Sequence, residues 1–465
     1  MSRSLEGASM NTAILVVDDE KDFLATLKRG LVVSGYKDLG LFDDPIAAVR
    51  SVEAGDAYDI ALLDITMPNL NGLELLDRIK AVSPDTECIM ITAVNEVAVA
   101  VRCMQKGAYD YLLKPVLHED LIARIERALE KKRLVEIIEV KTSFSPPVLN
   151  NAEAFGDICT NSLTVQKTLK EAELHAMSDL PVLITGESGT GKELLARAIH
   201  KASTRAKSPF VAINMASMSE TLFEAEFFGH TKGAFTGAER ERSGHLANAH
   251  KGTLFLDEIG NLPSNLQGKL LRVLQEGEFM MVGSSKLQKI DIRFIAATNE
   301  DLERLMTKGL FRKDLYYRLR GAWLHLPPLR ERQDDIPLLI NRFIQELDPE
   351  RRPKAIEQEA LNLLLGYDYP GNIRELRSIV LGAANLAQGG SVSVTTLPAC
   401  FRELKPRPVK SPVPSELSTD SLADVEKQHI LSIYESTGCN KARTAQHLRI
   451  GLNTLRRKLE SYGIS

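Results

Sequence analysis

The run Gly186-Glu187-Ser188-Gly189-Thr190-Gly191-Lys192 combines three glycines with a terminal lysine, and Glu193 follows it. Glycines let backbone N–H groups crowd around phosphate oxygens, and the start of a following helix adds partial positive charge. Lys192 can then reach the β- and γ-phosphates of a nucleotide. Asp257-Glu258 offers the complementary chemistry: Asp257 is placed to hold Mg²⁺ and Glu258 to polarise an attacking water. Asn299 ends a third stretch as a polar tip able to sense the γ-phosphate. A second set is acidic and comprises Asp18, Asp19 and Asp64, with Thr92 and Lys114. Crowded carboxylates repel one another unless a divalent cation is bound. With Mg²⁺ present, Asp64 can attack a phosphoryl donor as nucleophile, Thr92 can hydrogen-bond the transferred group, and Lys114 can neutralise it.

These side chains need elements to hold them. Residues 180–185 are apolar and read as a buried strand, and 193–200 as a helix, so the glycine run sits in a strand–turn–helix context. Residues 252–258 and 292–297 read as further buried strands. In the acidic set, strands at 13–17, 60–63, 87–91 and 109–113 end at Asp18, Asp64, Thr92 and Lys114, with helical stretches between them. Such alternation implies a parallel sheet with its chemistry at the carboxyl ends of the strands. An acid or lysine at one strand end is commonly a solvated cap; five in this order are not explained that way. Ordered structure is expected from Ala13, with Met10 as a candidate start.

A chain of 465 residues suggests about three domains. With 44% hydrophobic and 26% charged residues it reads as soluble and globular. A net charge of −4 gives no global nucleic-acid signal, so any DNA contact must be local. Five scattered cysteines without metal-ligand spacing read as reduced thiols of a cytoplasmic protein. The first ten residues lack the apolar core of a signal peptide, and no run approaches the ~18 apolar residues of a membrane span.

Residues 117–141 read as one long helix with Leu121, Ile125, Ala128 and Leu129 on one face and Leu134, Ile137 and Ile138 continuing it, either a two-helix dimer contact or an amphipathic helix docked on its own domain. Two prolines in 143–147 mark a hinge, and four prolines in 405–418 an extended spacer. The hexapeptide Gly233-Ala234-Phe235-Thr236-Gly237-Ala238 is either a loop tip presenting Phe235 and Thr236 or a tight turn with Phe235 buried; spacing alone favours the turn. Arg312 and Arg318 can reach outward from a helix end or serve as ordinary surface charge. Residues 421–435 read as a helix, and 440–448 and 452–461 as two more around a turn at 449–451, a helix-turn-helix pattern. Segment 436–465 holds six basic residues against the single acid Glu460, the local charge that phosphate binding needs. Gly451 can cap the last helix. Leu455 and Leu459 should face inward, and Asn453 and Arg456 outward, where Asn can pair with adenine and Arg with guanine. Thr454, Arg457 and Lys458 complete the candidate DNA set; the bland alternative is a basic solvated helix.

On these residues, 12–130 resemble a two-component receiver domain. Asp64-Ile65-Thr66-Met67-Pro68 with Gly72 matches its phosphorylation-site pattern, Asp18-Asp19 its acidic pair, Thr92 its switch hydroxyl, Tyr111 its switch aromatic, and Lys114-Pro115 its lysine–proline. The resemblance implies a cis Lys114-Pro115 peptide. Residues 153–388 resemble the AAA+ domain of NtrC-type bacterial enhancer-binding proteins, with a lid at about 327–388. Gly186–Lys192 matches its Walker A loop, Asp257-Glu258 its Walker B, and Asn299 its sensor. The resemblance further makes Asn214 a coupler of Glu258 to nucleotide state, Arg312 and Arg318 fingers acting on a neighbour's ATP, Arg374 a second sensor, and 233–238 the loop that engages sigma-54. It places Phe235 at the tip, against the reading from spacing. Residues 419–465 resemble a Fis-type DNA-binding domain.

Some positions depart from these patterns. Glu193 stands where other P-loop proteins place Ser or Thr, leaving the metal to Asp257 and water; Tyr369 stands for the usual Trp before Pro370; residues 158–162 lack the glycine often found near the domain start; Arg449 and Gly451 replace the common Gly and Ser of the turn. The fold class expected is α/β multidomain: a flavodoxin-like receiver with a doubly wound parallel sheet, an AAA+ P-loop domain with helical lid, and an all-α helix-turn-helix end. Residues 131–152 and 389–418 are the expected linkers. The resemblance implies ATP and Mg²⁺ as cofactors. Its partners are a cognate sensor histidine kinase, sigma-54 RNA polymerase and enhancer DNA, with homodimers assembling into a hexameric or heptameric ring and no membrane. Two rivals are an AAA+ machine acting on another protein, and a phosphorylated DNA-binding regulator with a dead ATPase.

Overall fold

The computed structural model describes residues 10–93, 97–216, 220–235, 238–347, 353, 355–402, 426, 427, 430, 433, 434, 440–448 and 450–462. The chain divides into two compact units, Met1–Leu404 and Lys405–Ser465. The first unit begins with strands β1 (Met10–Val17), β2 (Tyr36–Phe42), β3 (Ile60–Asp64), β4 (Glu87–Thr92) and β5 (Asp110–Leu113). They form a parallel sheet in the order β2-β1-β3-β4-β5, the flavodoxin-like arrangement. Helices α1 (Lys21–Val33), α2 (Pro45–Glu53), α3 (Gly72–Val82), α4 (Val97–Gln105) and α5 (His118–Thr142) connect and follow the strands. Leu15, Val17, Ala61 and Leu63 pack with residues of α2 and α3, while Ile14, Val16, Ile60 and Leu62 pack with α1 and α5. Burial on both faces is why these strands read as continuous apolar runs. β1 starts at Met10, paired with Tyr36, three residues before the expected start.

Asn71 caps α3, its Oδ1 accepting the Glu74 N–H at 2.9 Å. Gly72 must follow it, because a Cβ there would lie 2.1 Å from the Asp64 carbonyl oxygen. Gly72→Ala is therefore expected to cost about 1–3 kcal/mol of receiver stability through overpacking. Calorimetry of the full chain would show its receiver transition at lower temperature; an unchanged transition would mean that the Asp64 turn yields freely.

α5 runs as one helix into the expected linker. Of the three apolar residues expected to share a face in its second half, Ile137 is buried, whereas Leu134 and Ile138 are exposed. The tail packs on α6 (Leu163–Ala176), where Lys141 pairs with Glu171 at 3.2 Å and Lys167 donates to the Lys141 carbonyl at 3.1 Å. The first half of α5, with Leu121, Ile125 and Ala128 buried, docks on its own domain as one alternative had it, whereas the tail meets a helix of the following domain, which neither alternative named.

The strands of the central domain are β6 (Val182–Thr185), β7 (Phe210–Asn214), β8 (Gly229–His230), β9 (Arg242–Ser243), β10 (Thr253–Asp257), β11 (Glu278–Met280), β12 (Leu287–Lys289), β13 (Arg293–Thr298) and β14 (Ala322–His325). The main sheet is parallel, in the order β14-β6-β13-β10-β7. α6 and α7 (Lys192–Lys201) pack on one face. The other face carries α8 (Glu220–Phe228), α9 (His245–Asn248), α10 (Ser264–Glu276), α11 (Leu302–Thr307) and α12 (Lys313–Leu319). The lid comprises α13 (Asp335–Gln345), α14 (Gln358–Gly366) and α15 (Asn372–Ala387) around one apolar core. Val392, Leu397 and Phe401 are buried in that core, so the lid's packing continues past 388 into residues expected to be spacer.

In the second unit, helices Lys441–His447 and Leu452–Ser461 enclose Ala445, Leu455 and Leu459 with Ile430 and Tyr434. Most of the helix expected at 421–435 lies outside the described residues, as does Arg449. Among the described residues, no helix is long and apolar enough to cross a membrane.

Candidate functional site

In the receiver, β1, β3 and β5 deliver their acids and lysine to one edge. Lys114 Nζ lies 2.8 Å from Asp18, 3.0 Å from Asp64 and 3.1 Å from Glu20. Among the described residues, Asp18, Glu20 and Asp64 each bring a carboxylate oxygen within 4.8 Å of the others. Asp19 is exposed and stands outside that group, where its neighbour Glu20 takes a place that was not expected. Both acids lie past the end of β1, where Asp18 is buried and Asp19 is open to solvent. Burial pushes the Asp18 carboxyl up, against the pull of Lys114. Burial also works against the Lys114 ammonium, but its hydrogen bonds to Asp18, Asp64 and Glu20 prevail and raise its pKa. Three carboxylates around one ammonium leave excess negative charge, and all offer hard oxygen donors, so the set fits a divalent cation. Thr92 is buried at the end of β4, and its carbonyl accepts the Lys114 N–H at 2.7 Å. Tyr111 is half-buried and lines an open groove with Val97, Ala100, Val101 and Met104 of α4. The Lys114-Pro115 peptide is cis.

In the central domain, Gly186, Gly189 and Gly191 all have positive φ. A Cβ on Gly186 would lie 2.6 Å from the Leu326 carbonyl and one on Gly189 2.3 Å from that of Gly371. Lys192 is buried at the start of α7, its Nζ donating to the carbonyls of Gly186 at 2.9 Å and Glu187 at 3.1 Å. Burial pushes its pKa down, while Glu258 and Asp257 pull it back up. Asp257 ends β10, and burial followed by the charge of Glu258 pushes its carboxyl up. Glu258 has a left-handed backbone; one oxygen lies 4.0 Å from Lys192 Nζ and the other accepts the Asn299 N–H at 3.3 Å. Asn214 ends β7 in register with Asp257, and its side chain accepts the Ala216 N–H at 2.8 Å. Thr190 is buried, Ser188 accepts from Arg374 Nη1 at 3.2 Å, and Glu193 pairs with Arg197. The glycine loop, Lys192 and the acid pair thus converge in a cradle whose chemistry fits a nucleotide triphosphate.

The hexapeptide loop leaves the same domain between β8 and β9. Gly233 N–H donates to the Ala238 carbonyl at 2.8 Å, which closes the loop. Phe235 is 42% exposed, its ring edge-on to His230 at 5.0 Å, so the buried-turn expectation fails. Among the described residues of the loop, Ala238 is the one that is buried. Thr236 and Gly237 lie outside the described residues. Arg312 and Arg318 are exposed on and beside α12. Arg312 pairs with Asp314 at 2.8 Å, and Arg318 donates to the Leu274 carbonyl at 3.1 Å. In the second unit, Gly451 caps the last helix, Leu455 and Leu459 are buried, and Asn453, Thr454, Arg456 and Arg457 are exposed. Lys458 is half-buried and pairs with Glu426 at 2.6 Å.

Family comparisons match this order of parts. Residues 14–126 match the response regulator receiver domain, 158–325 the sigma-54 interaction domain, 330–412 the AAA+ ATPase lid domain, and 421–462 the bacterial regulatory protein, Fis family. The regulatory protein AtoC of Escherichia coli (strain K12) is 40% identical over 97% of this chain and 98% of its own. The DNA-binding transcriptional regulator NtrC of Rhizobium meliloti (strain 1021) is 38% identical over 97% of each. The chain belongs to the NtrC family of sigma-54-dependent response regulators. A crystal structure of NtrX from Brucella abortus in complex with ATP aligns over 98% of this chain and 100% of that one, with 32% identity and a TM-score of 0.49.

As an NtrC-family response regulator, the protein activates sigma-54-dependent transcription, and its central domain is a nucleotide-binding ATPase. Its receiver, sigma-54 interaction and Fis-type parts point to a kinase, sigma-54 and DNA as partners. Several residues around the regulator's sites escaped sequence reasoning. Glu20 joins Lys114, Arg330 and Asn372 join Glu187, and Arg332 joins Thr190. Asp335 is fully buried and accepts from Thr160, Asn161 and Ser162, which anchors the segment that lacks the usual glycine. Acidic run 18–20 was a signal for Glu20; nothing local distinguishes the others.

Proposed function

We propose that this regulator is switched by phosphorylation of Asp64 by a sensor histidine kinase in the cytoplasm. Asp18, Asp19 and Asp64, with Glu20 beside them, would hold Mg²⁺; Thr92, Tyr111 and Lys114 would carry the change to the rest of the chain. When bound, Mg²⁺ neutralises charge on the phosphoryl group being transferred. Residues 186–193 bind ATP, with Asp257 on its metal. Glu258 orients the attacking water, Asn299 and Arg374 sense the phosphates, and Asn214 couples Glu258 to them. Dimers reassemble into a hexameric or heptameric ring in which Arg312 and Arg318 of one protomer complete the site of the next. Residues 233–238, with Phe235 at the tip, push on sigma-54 in the polymerase–promoter complex. Asn453, Thr454, Arg456, Arg457 and Lys458 hold the assembly at enhancer DNA, with Lys458 exchanging Glu426 for phosphate.

The observation that supports this reading best is Lys114 held between Asp18, Glu20 and Asp64. One ammonium spans the acids that a metal and a phosphoryl group would rearrange, so phosphorylation at Asp64 would draw Lys114 from the carboxylates toward the phosphoryl oxygens. The test is ATPase rate against protein concentration, with and without beryllofluoride as phosphoryl mimic, beside Asp64→Asn. A steep, concentration-dependent rise in the wild type alone is expected. The same flat rate in every sample would overturn the phospho-switch.

A further inference from the structure

The lid grips the phosphate-binding loop from outside. Asn372 Nδ2 donates to Glu187 Oε2 at 3.1 Å and to the Ser188 carbonyl at 3.0 Å. Arg330 forks onto both oxygens of Glu187, at 2.9 and 2.6 Å. The Ile373 N–H donates to the Gly189 carbonyl at 3.0 Å, and Arg332 Nη2 to the Thr190 carbonyl at 2.9 Å. Four consecutive loop residues, 187–190, therefore offer an acceptor to the single segment 330–373. Across a planar trans peptide the N–H points opposite to the C=O. Holding the carbonyls of Ser188 and Thr190 on the lid side turns the N–H groups of Gly189 and Gly191 away from the lid, toward the phosphate side.

Asn372 is the centre of this grip. It is fully buried, and its backbone is left-handed at φ 52, a conformation that costs a non-glycine residue energy and persists only where surroundings enforce it. Its Oδ1 accepts the Leu329 N–H at 2.7 Å, so one amide joins the bridge, the lid and the loop. The hydrogen bonds of Arg330, and after them that of Asn372, hold the Glu187 carboxyl down at about 2, so it is charged throughout the working range.

We propose that Asn372, with Arg330, is a positioning residue for nucleotide: acting through Glu187 and Ser188, it presets the phosphate-binding loop, so that the loop's fit to ATP depends on where the lid sits. This rests on the reading of Lys192, Asp257 and Glu258 as the ATPase site. Loosening the grip adds loop ordering to the cost of binding, while Asp257 and Glu258, on another strand, keep their places. The effect therefore falls on KM, not on kcat.

Asn372→Gly tests it cleanly, because glycine keeps the left-handed backbone and loses only the amide. With the full chain at ring-forming concentration, KM for ATP is expected to rise about tenfold with kcat held, as the amide's two hydrogen bonds to the loop are lost along with the one from Leu329. Arg330→Ala and Glu187→Ala, both on the surface, should each raise KM about threefold, the scale of an exposed ion pair. Their double variant should be no worse than either. An unchanged KM in Asn372→Gly, or a fall in kcat alone, would overturn the proposal, since a purely structural role lowers the active fraction and leaves KM. Additive effects in the double variant would remove Arg330 from it. Should the wild type hydrolyse no ATP, the ATPase reading fails. Direct titration with ADP then decides the grip by itself: weaker binding by Asn372→Gly and by the surface variants supports it, and equal binding overturns it.

Discussion

Glu258→Gln is expected to stop ATP turnover while ATP still binds. Loss of a positioned general base typically costs about 10²–10⁴-fold in rate. Glu258 sits just past β10 with a left-handed backbone, one oxygen on the Asn299 N–H and the other 4.0 Å from Lys192 Nζ. Glutamine keeps the volume and an acceptor for Asn299, so the fold and the placement of Lys192 should survive. Only the charge that would draw a proton from water is lost. Asp257 differs: burial and then the neighbouring Glu258 push its carboxyl up. Steady-state turnover and equilibrium ATP binding, measured together, check the assignment. Turnover within a factor of a few of wild type would take Glu258 out of the role.

Phe235→Ala is expected to abolish sigma-54-dependent open-complex formation and to leave ATP hydrolysis in place. An aromatic at the tip of a contact loop typically contributes 2 kcal/mol or more to an interface, about 30-fold in affinity. The ring is 42% exposed and rests on His230. Below it, Thr231 donates its N–H to the Val282 carbonyl at 3.0 Å, which ties the loop to the hairpin of β11 and β12. Truncating the ring removes contact surface but none of these supports. Transcription from a sigma-54 promoter, assayed beside ATPase rate, separates the two activities. Loss of both would mean that Phe235 serves the ATPase fold; loss of neither would move the sigma-54 contact elsewhere.

The catalytic sets were legible because each lies in a short local pattern. A buried strand ending in an acid, or a strand, glycine turn and helix, declares both its chemistry and its element within ten residues, as Ile60–Asp64 and Val182–Lys192 do. Parallel strands then carry those ends to one edge, so sequence order predicts spatial company. The outward set of the last helix was also legible, since Leu455 and Leu459, four apart, must share its buried face.

What the sequence by itself determined, then, was the order of domains, the strand ends that bear Asp18, Asp64, Thr92, Lys114, Asp257 and Asn299, and the phosphate-binding turn. Tertiary structure decided which faces and which distant partners these groups meet. Spacing favoured a buried Phe235, but the ring stands exposed against His230. A shared face was expected for Leu134, Ile137 and Ile138, but of the three only Ile137 is buried. Asn372 and Glu187 are 185 residues apart and share no pattern. Their hydrogen bond exists because the lid's core places the start of α15 against the loop, and long-range packing of that kind leaves no periodic trace in the chain.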